Sequence, residues 1–231
     1  MEEQQTIWAA SGKGLGDCWA SVCYVLRQSV KNNRTELMAP YYRKGPVKKR
    51  WYVNKVKEML PLLDTTGSIE IVEADPTRKL TWKEVYKIDY FPTKPVWTPS
   101  TYKKICYQFD GKSHGCKNIS SPEKEQELID HIESNGFCAI RLGCEQTLAE
   151  AVELLSESAM FIGVESGFAH IAASTGIPIF MIVNGRTYQG IQDSHTNREM
   201  VLCNDADDAL LKLTDYFKQD NYYEENKVLI T

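Results

Sequence analysis

Two short loops hold the residues of this sequence that are best suited to chemistry. The first, residues 11–17, reads Ser-Gly-Lys-Gly-Leu-Gly-Asp and ends on the carboxylate of Asp17. Its glycines permit a tight turn and a close approach of the backbone to a ligand. Asp17 can serve as a general base, or it can be the N-cap of the helix that follows. The residues alone leave both interpretations open.

The second loop, residues 163–170, reads Gly-Val-Glu-Ser-Gly-Phe-Ala-His. Small residues at the start of a predicted helix leave backbone amides available to an anion, and the helix dipole favours a diphosphate there. His170 can hydrogen-bond a phosphate or be a buried core histidine. Glu165 can accept hydrogen bonds from sugar hydroxyls or cap the helix. The pattern predicts an anion site without deciding these roles.

Several familiar sites are excluded by spacing. The first loop has neither the dinucleotide fingerprint nor the Walker A pattern, and Ser166 does not lie in a Gly-x-Ser-x-Gly nucleophile elbow. The seven cysteines include no CxxC pair and no Cys/His cluster at zinc spacing. We therefore expect reduced core thiols and no metal site.

Alternating strand and helix patterns must position the two loops, and they predict an α/β fold with parallel sheets. The predicted strands are 6–10, 36–40, 69–73, 105–109, 137–142, 160–164, 177–183 and 200–203. The predicted helices are 18–30, 48–63, one that starts after Ser121, 147–156, 167–174 and 205–218. Both loops would then follow the carboxyl ends of strands, where open α/β sheets bind ligands. Prolines between 90 and 101 predict a linker, and hence domains 1–100 and 101–231.

Charge is distributed unevenly between these predicted domains. Residues 1–120 carry a net charge of +8 and residues 121–231 one of −12, which together give the −4 of the chain. The densest basic stretch, 43–57, is interleaved with aromatic residues. Such a surface can neutralise phosphates and stack on bases, or it can be an ordinary solvated amphipathic helix. Its candidate acceptor-binding residues are Arg43, Lys44, Lys48, Lys49, Arg50 and Trp51.

Composition favours a soluble protein. The 231 residues are 42% hydrophobic and 25% charged, and the longest apolar run, 177–183, is far too short to span a membrane. The first five residues are acidic and polar and contain no signal-peptide core. We expect a cytoplasmic protein without integral membrane association.

The run of residues 158–178, which contains the second loop, resembles the donor-binding signature of glycosyltransferase family 9, the heptosyltransferase-like enzymes. Residues 14–17 are similar to the N-terminal loop of that family, and 110–117 lie where the family has a polar loop. The resemblance implies the GT-B fold, in which two Rossmann-like domains face each other across a cleft. The first domain would bind the acceptor and the second a nucleotide-sugar.

The resemblance also implies an inverting, metal-independent transfer with no cofactor. Asp17 would deprotonate the acceptor hydroxyl, and Gly14 and Gly16 would lie on the acceptor side. The donor-binding residues would be Lys112, Lys117, Glu165, Ser166, Gly167 and His170, of which the lysines would neutralise leaving-group charge. Amides, Lys and His can stabilise a departing diphosphate without a metal. Many members have Asp where this chain has Glu165.

Three functions follow as hypotheses. The basic aromatic stretch favours duplex DNA as the partner, so that the acceptor would be a hydroxymethylated base flipped out of the helix by a phage-type enzyme. The alternative is transfer to lipopolysaccharide or another saccharide. A hypothesis of another class is a binding module for nucleotide-sugar or nucleic acid that has lost activity. The first two place the protein in the cytoplasm of a bacterium or of a phage-infected cell.

Overall fold

The computed structural model describes residues 6–9, 14–39, 46–64, 67–81, 84, 103–110, 121–143, 145–183 and 200–227. In 46–52 and 219–227 it describes the backbone alone. Within these ranges the chain forms nine strands and six helices.

The N-terminal half forms a four-stranded parallel sheet. Its elements are β1 (Ile7–Ala9), α1 (Leu15–Asn32), β2 (Glu36–Ala39), α2 (Pro46–Leu63), β3 (Ile69–Ile71) and β4 (Arg78–Lys79). The strand order is β3-β2-β1-β4, with Trp8 in register with Met38 on one side and with Arg78 on the other. Strand β4 was not predicted, because two exposed basic residues carry no apolar strand pattern.

The C-terminal half forms a five-stranded parallel sheet in the order β6-β5-β7-β8-β9. Its elements are β5 (Lys104–Gln108), α3 (Pro122–Ser134), β6 (Cys138–Arg141), α4 (Leu148–Ser156), β7 (Met160–Val164), α5 (Gly167–Thr175), β8 (Ile179–Ile182), β9 (Met200–Cys203) and α6 (Ala206–Lys227). Strands β7 and β8 are buried along their whole length, as the apolar run 177–183 predicts for doubly covered strands. The expected α/β class with two parallel sheets is confirmed, whereas the predicted domain boundary at residue 100 falls outside the described residues.

A buried carboxylate ties the elements of the N-terminal sheet together. Glu36, at the start of β2, accepts hydrogen bonds from the indole of Trp8 at 2.7 Å, the amide of Asn32 at 2.7 Å and the guanidinium of Arg34 at 3.0 Å. Burial acts to raise the pKa of Glu36, but these donors outweigh it and hold that pKa below its ordinary value. The end of α1 is thereby fixed to β1 and β2.

Helices from the two halves pack directly on each other. Helix α1 contacts both α2 and α5, and α4 contacts both α5 and α2. One hydrophobic cluster consequently runs from residues of the first sheet, such as Trp8 and Met38, to residues of the second, such as Phe161 and Ile179. These four helices therefore form a packed interface between the two halves.

A polar contact lies inside this interface. The indole N–H of Trp19, on α1, donates to Ser174 Oγ, on α5, at 3.1 Å, and both residues are buried. Ser174 Oγ in turn donates to the carbonyl of Ile171 at 2.6 Å. An indole N–H buried without an acceptor would destabilise the fold, so this serine fits the interface as a partner for Trp19.

The variant Ser174→Ala is expected to lower the free energy of unfolding by about 1–3 kcal/mol, because it leaves the Trp19 N–H buried without an acceptor. Urea denaturation followed by tryptophan fluorescence measures the change. Ser156→Ala is the matched control: its hydroxyl also bonds the carbonyl three residues back, that of Glu153, but it is exposed. A loss for Ser174→Ala no larger than that for Ser156→Ala would contradict the prediction.

Candidate functional site

The strand order of each sheet reverses at one place, and a loop of interest lies at each reversal. In the second sheet the chain passes from β5 outward to β6 and then returns to β7 on the other side of β5. In the first sheet it returns in the same way to β4 beside β1. The crevice outside the strand ends at such a point is where open α/β sheets bind ligands. The loop after β1 leads to Asp17, and the loop after β7 leads to His170.

Ser166 organises the loop after β7. It is the N-cap of α5, and its Oγ accepts a hydrogen bond from the backbone N–H of Ala169 at 3.4 Å. The alternative in which Glu165 caps this helix is therefore wrong, and Glu165 lies one residue before the cap. The amides of the first turn of α5 form the electropositive end of the helix, as the anion-site prediction requires.

Helix α1 begins earlier than predicted. It starts at Leu15 with Gly14 as N-cap, so Asp17 is the third helical residue and not the N-cap. The half-buried Asp17 reaches back, and its Oδ2 accepts the backbone N–H of Gly14 at 3.0 Å. Glycine at 14 and 16 hid the helix start, because glycine is a poor helix former. The carboxylate thus has a capping role and still lies at the end of α1 nearest the second loop.

The first turns of α1 and α5 contact each other through two glycines, each of which has a side chain of the opposite turn packed on it. The ring of His170 lies on Gly16, where a Cβ would come within 2.8 Å of Nε2. In the opposite direction, Leu15 lies on Gly167, where a Cβ would come within 2.8 Å of the Leu15 Cβ. Each turn thus supplies one side chain and one glycine, and the two helix N-termini approach closely.

This approach places three titratable groups together. Burial, and then the charge of Asp17, raises the pKa of Glu165 to about 7. Burial lowers the pKa of His170 to about 4, against the opposing influence of Asp17. At neutral pH His170 is therefore a neutral imidazole that can donate one N–H, and Glu165 is divided between its acid and its carboxylate.

The described structure does not show the side chains of the basic residues and Trp51 predicted for the site. Lys112 and Lys117, and likewise Arg43 and Lys44, lie outside the described residues. The remaining basic-stretch candidates lie on the first turns of α2, where the backbone alone is described: Lys48, Lys49, Arg50 and Trp51. Their roles in donor or acceptor binding stay predictions.

Sequence reasoning missed Leu15 and Ser174. A leucine between two glycines and a serine inside a helix are ordinary residues, and their importance comes from partners about 150 residues away in the chain. Local spacing cannot reveal such a pairing. A weak signal exists in the glycines themselves, since a glycine inside a helix needs a packing or functional reason.

Metal and membrane features are limited in the part of the chain that the structure describes. No group of three or more His, Cys, Asp or Glu side chains there could hold a metal ion. Among the helices of that same part, none has the length and apolar character needed to cross a membrane.

Two parallel α/β sheets whose helices pack on each other are the architecture of the GT-B glycosyltransferase class, and comparison with known proteins supports this class. The family model for glycosyltransferase family 9 (heptosyltransferase) matches residues 91–213, more than half of the chain. The chain belongs to glycosyltransferase family 9. Among curated proteins, none matches this chain in sequence.

Solved structures share the fold at low sequence identity. The E. coli heptosyltransferase WaaC with ADP superposes with a TM-score of 0.53 at 10% identity, over 94% of this chain and 100% of that chain. A glycosyltransferase family 9 protein from Veillonella parvula gives 0.51 at 10% identity, over 87% and 86%. The dodecameric, iron-containing glycosyltransferase TibC from enterotoxigenic E. coli gives 0.51 at 14%, over 79% of this chain but only 59% of its own.

We expect the free energy of unfolding to depend on pH because Glu165 is largely removed from water in the folded protein. Between its ordinary pKa of 4.5 and the folded value of about 7, the folded chain holds a proton that the unfolded chain has lost. The contribution of this group to stability therefore falls as the pH rises through that window, and its cost is complete above it. The variant Glu165→Gln is expected to exceed the parent in stability by about 1–3 kcal/mol at about pH 8.

Urea denaturation of both proteins at several pH values measures this difference, which should shrink to nothing as the pH falls below 4.5. Because His170 is present in both proteins, its own titration largely cancels in the comparison. A stability advantage of the glutamine variant that grows toward acid would show that Glu165 is not buried as described.

Proposed function

We propose that the protein is a metal-independent, inverting glycosyltransferase of the heptosyltransferase kind, which moves a sugar from a nucleotide-sugar to a hydroxyl of a saccharide acceptor. The observation that carries the proposal is the contact between the first turns of α1 and α5, which brings the carboxylate of Asp17, from the N-terminal half, to the helix N-terminus capped by Ser166 in the C-terminal half. A base and a diphosphate site at one place are what this transfer needs.

In this reaction Asp17 removes the proton of the acceptor hydroxyl while the oxygen of that hydroxyl attacks the anomeric carbon. The bond from that carbon to the diphosphate breaks on the opposite face, and the configuration inverts. The hydrogen bond from Gly14 N–H to Asp17 Oδ2 orients the carboxylate. General-base catalysis of this kind contributes about 10²–10⁴-fold to the rate.

The departing diphosphate is stabilised by the first turn of α5. Backbone amides after Ser166 and the helix dipole favour the added negative charge. His170, neutral because burial holds its pKa near 4, can donate a hydrogen bond without being a cation. Lys112 and Lys117 are proposed to supply positive charge. Glu165, just before the cap, is suited to the sugar hydroxyls.

The choice of acceptor follows the family and its structural relatives. TibC is described in complex with ADP-D-β-D-heptose and WaaC with ADP, and both are heptosyltransferases. A basic acceptor half suits a phosphorylated saccharide as well as it suits a polynucleotide. The DNA acceptor expected from the basic aromatic stretch has no support among these relatives, so the saccharide alternative is preferred. TibC is described as iron-containing, whereas no group of three or more His, Cys, Asp or Glu side chains among the described residues of this chain could hold a metal ion.

The test is mass spectrometry of acceptors after incubation with the protein and a panel of nucleotide-sugars that includes ADP-heptose. The acceptors are lipopolysaccharide core saccharides and hydroxymethylcytosine-containing duplex DNA. We expect a mass gain on the saccharide, reduced at least 10²-fold in rate by Asp17→Asn, because the amide cannot accept the proton. An asparagine at this position can still accept the Gly14 N–H, so the fold should be preserved.

The control is Asp130→Asn, on the exposed face of α3, which is expected to keep the parent rate. A mass gain on DNA and none on the saccharide would return the acceptor to the polynucleotide. If the parent protein binds the donor but neither transfers its sugar nor hydrolyses it, the binding-module hypothesis is supported. An Asp17→Asn variant as active as Asp130→Asn would exclude Asp17 as the base.

A further inference from the structure

The reciprocal contact between the first turns of α1 and α5 assigns a role to Gly16 that its position in the sequence does not suggest. Gly16 is buried and belongs to the half that carries the acceptor-side loop. Its nearest neighbours across the interface are three ring atoms of His170, a residue of the donor-side turn. Gly16 therefore contacts the diphosphate-binding turn from the other half of the protein.

The absence of a side chain at Gly16 creates the space that the imidazole fills. A Cβ there would lie within 2.8 Å of His170 Nε2, closer than real Cβ contacts come, and its nearest neighbour would be Cδ2 of the same ring. His170 is only 4% exposed, so the ring has little room to move away. By contrast, a Cβ on Gly14 would meet nothing closer than Asp17 Oδ2 at 3.8 Å, an ordinary contact. Of the two glycines in this turn, only Gly16 has a side chain seated on it.

The orientation of His170 matters for its proposed chemistry. A neutral imidazole donates one N–H in one direction, so a hydrogen bond to a phosphate oxygen requires a fixed ring plane. Helix α5 fixes the Cα of His170, and the surface of Gly16 bounds the ring along its Cδ2–Nε2 edge. A methyl group at position 16 would displace the ring and turn its N–H away from the phosphate oxygen. Hydrogen bonds weaken steeply as their donor–hydrogen–acceptor angle departs from linear.

We propose that Gly16 is a positioning residue for donor binding: it seats the imidazole of His170, so that the turn of one half sets the affinity of the other half for a nucleoside diphosphate. The proposal rests on the proposed function, since it takes the diphosphate of a nucleotide-sugar as the ligand. It replaces the expectation that Gly16 acts in acceptor binding. Leu15 on Gly167 completes the contact from the other side.

The test is a double-mutant cycle of Gly16→Ala, His170→Ala and the double variant, with ADP and UDP as probes in calorimetric titrations. We expect Gly16→Ala to raise the Kd of the diphosphate that binds the parent by about tenfold, as His170→Ala does through loss of the hydrogen bond. The double variant should show no further loss, because both substitutions remove the same interaction.

Thermal unfolding of the same four proteins tests the contact without any ligand. In the parent background Gly16→Ala should lower Tm by about 5 °C, because the methyl group is forced against the buried ring. In the His170→Ala background the same substitution should raise Tm, because alanine is a better helix former than glycine. A purely local effect of the substitution on α1 would have one sign in both backgrounds.

The outcomes separate the two proposals. If the parent binds a diphosphate and Gly16→Ala binds it equally well, the positioning role is overturned and the proposed function stands. A raised acceptor KM with unchanged diphosphate affinity would likewise overturn it and return Gly16 to the acceptor side. If the parent binds neither probe, nor ADP-heptose, the proposed function fails and the donor role of Gly16 fails with it, whatever the Tm series gives.

Discussion

The close approach of α1 and α5 is the constraint on which the rest of this structure depends. Two helix N-termini approach closely here because Gly16 and Gly167 each leave room for a side chain from the opposite turn. This arrangement brings two loops 150 residues apart to one place. The hydrogen bond between Trp19 and Ser174 then holds the same pair of helices further along their length. Asp17 and the first turn of α5 belong to different halves of the chain, so the distance between them is set by helix packing.

Burial at this point determines the protonation of the groups that meet there. The electropositive ends of two helices favour negative charge, while the loss of water opposes it. For Glu165 the loss of water is the stronger effect and raises its pKa to about 7. For His170 the same loss lowers the pKa to about 4, so the imidazole is uncharged beside a carboxylate. One environment thus shifts an acid and a base toward their neutral forms.

Much of this architecture could be predicted from the sequence, because it is encoded locally. Apolar runs such as 177–183 predict buried parallel strands, and small residues after a strand predict an anion-binding turn. The start of α1 could not be placed, since glycines at 14 and 16 conceal a helix whose stability comes from packing. Likewise the roles of Leu15 and Ser174 exist only through partners in the other half. The residue types of the candidate site could therefore be predicted from the sequence, whereas the contacts that set their geometry and pKa values could not.

The helix interface has a consequence for folding of the protein during its synthesis. Chains emerge from the ribosome N-terminus first, and domains generally fold as they emerge. Here the first sheet can assemble early, but the face of α1 that carries Trp19 has no cover until α5, which ends at Thr175, has been synthesised. During that interval the nascent chain exposes an apolar surface that includes Gly16 and Trp19, and the indole N–H of Trp19 lacks its acceptor, Ser174.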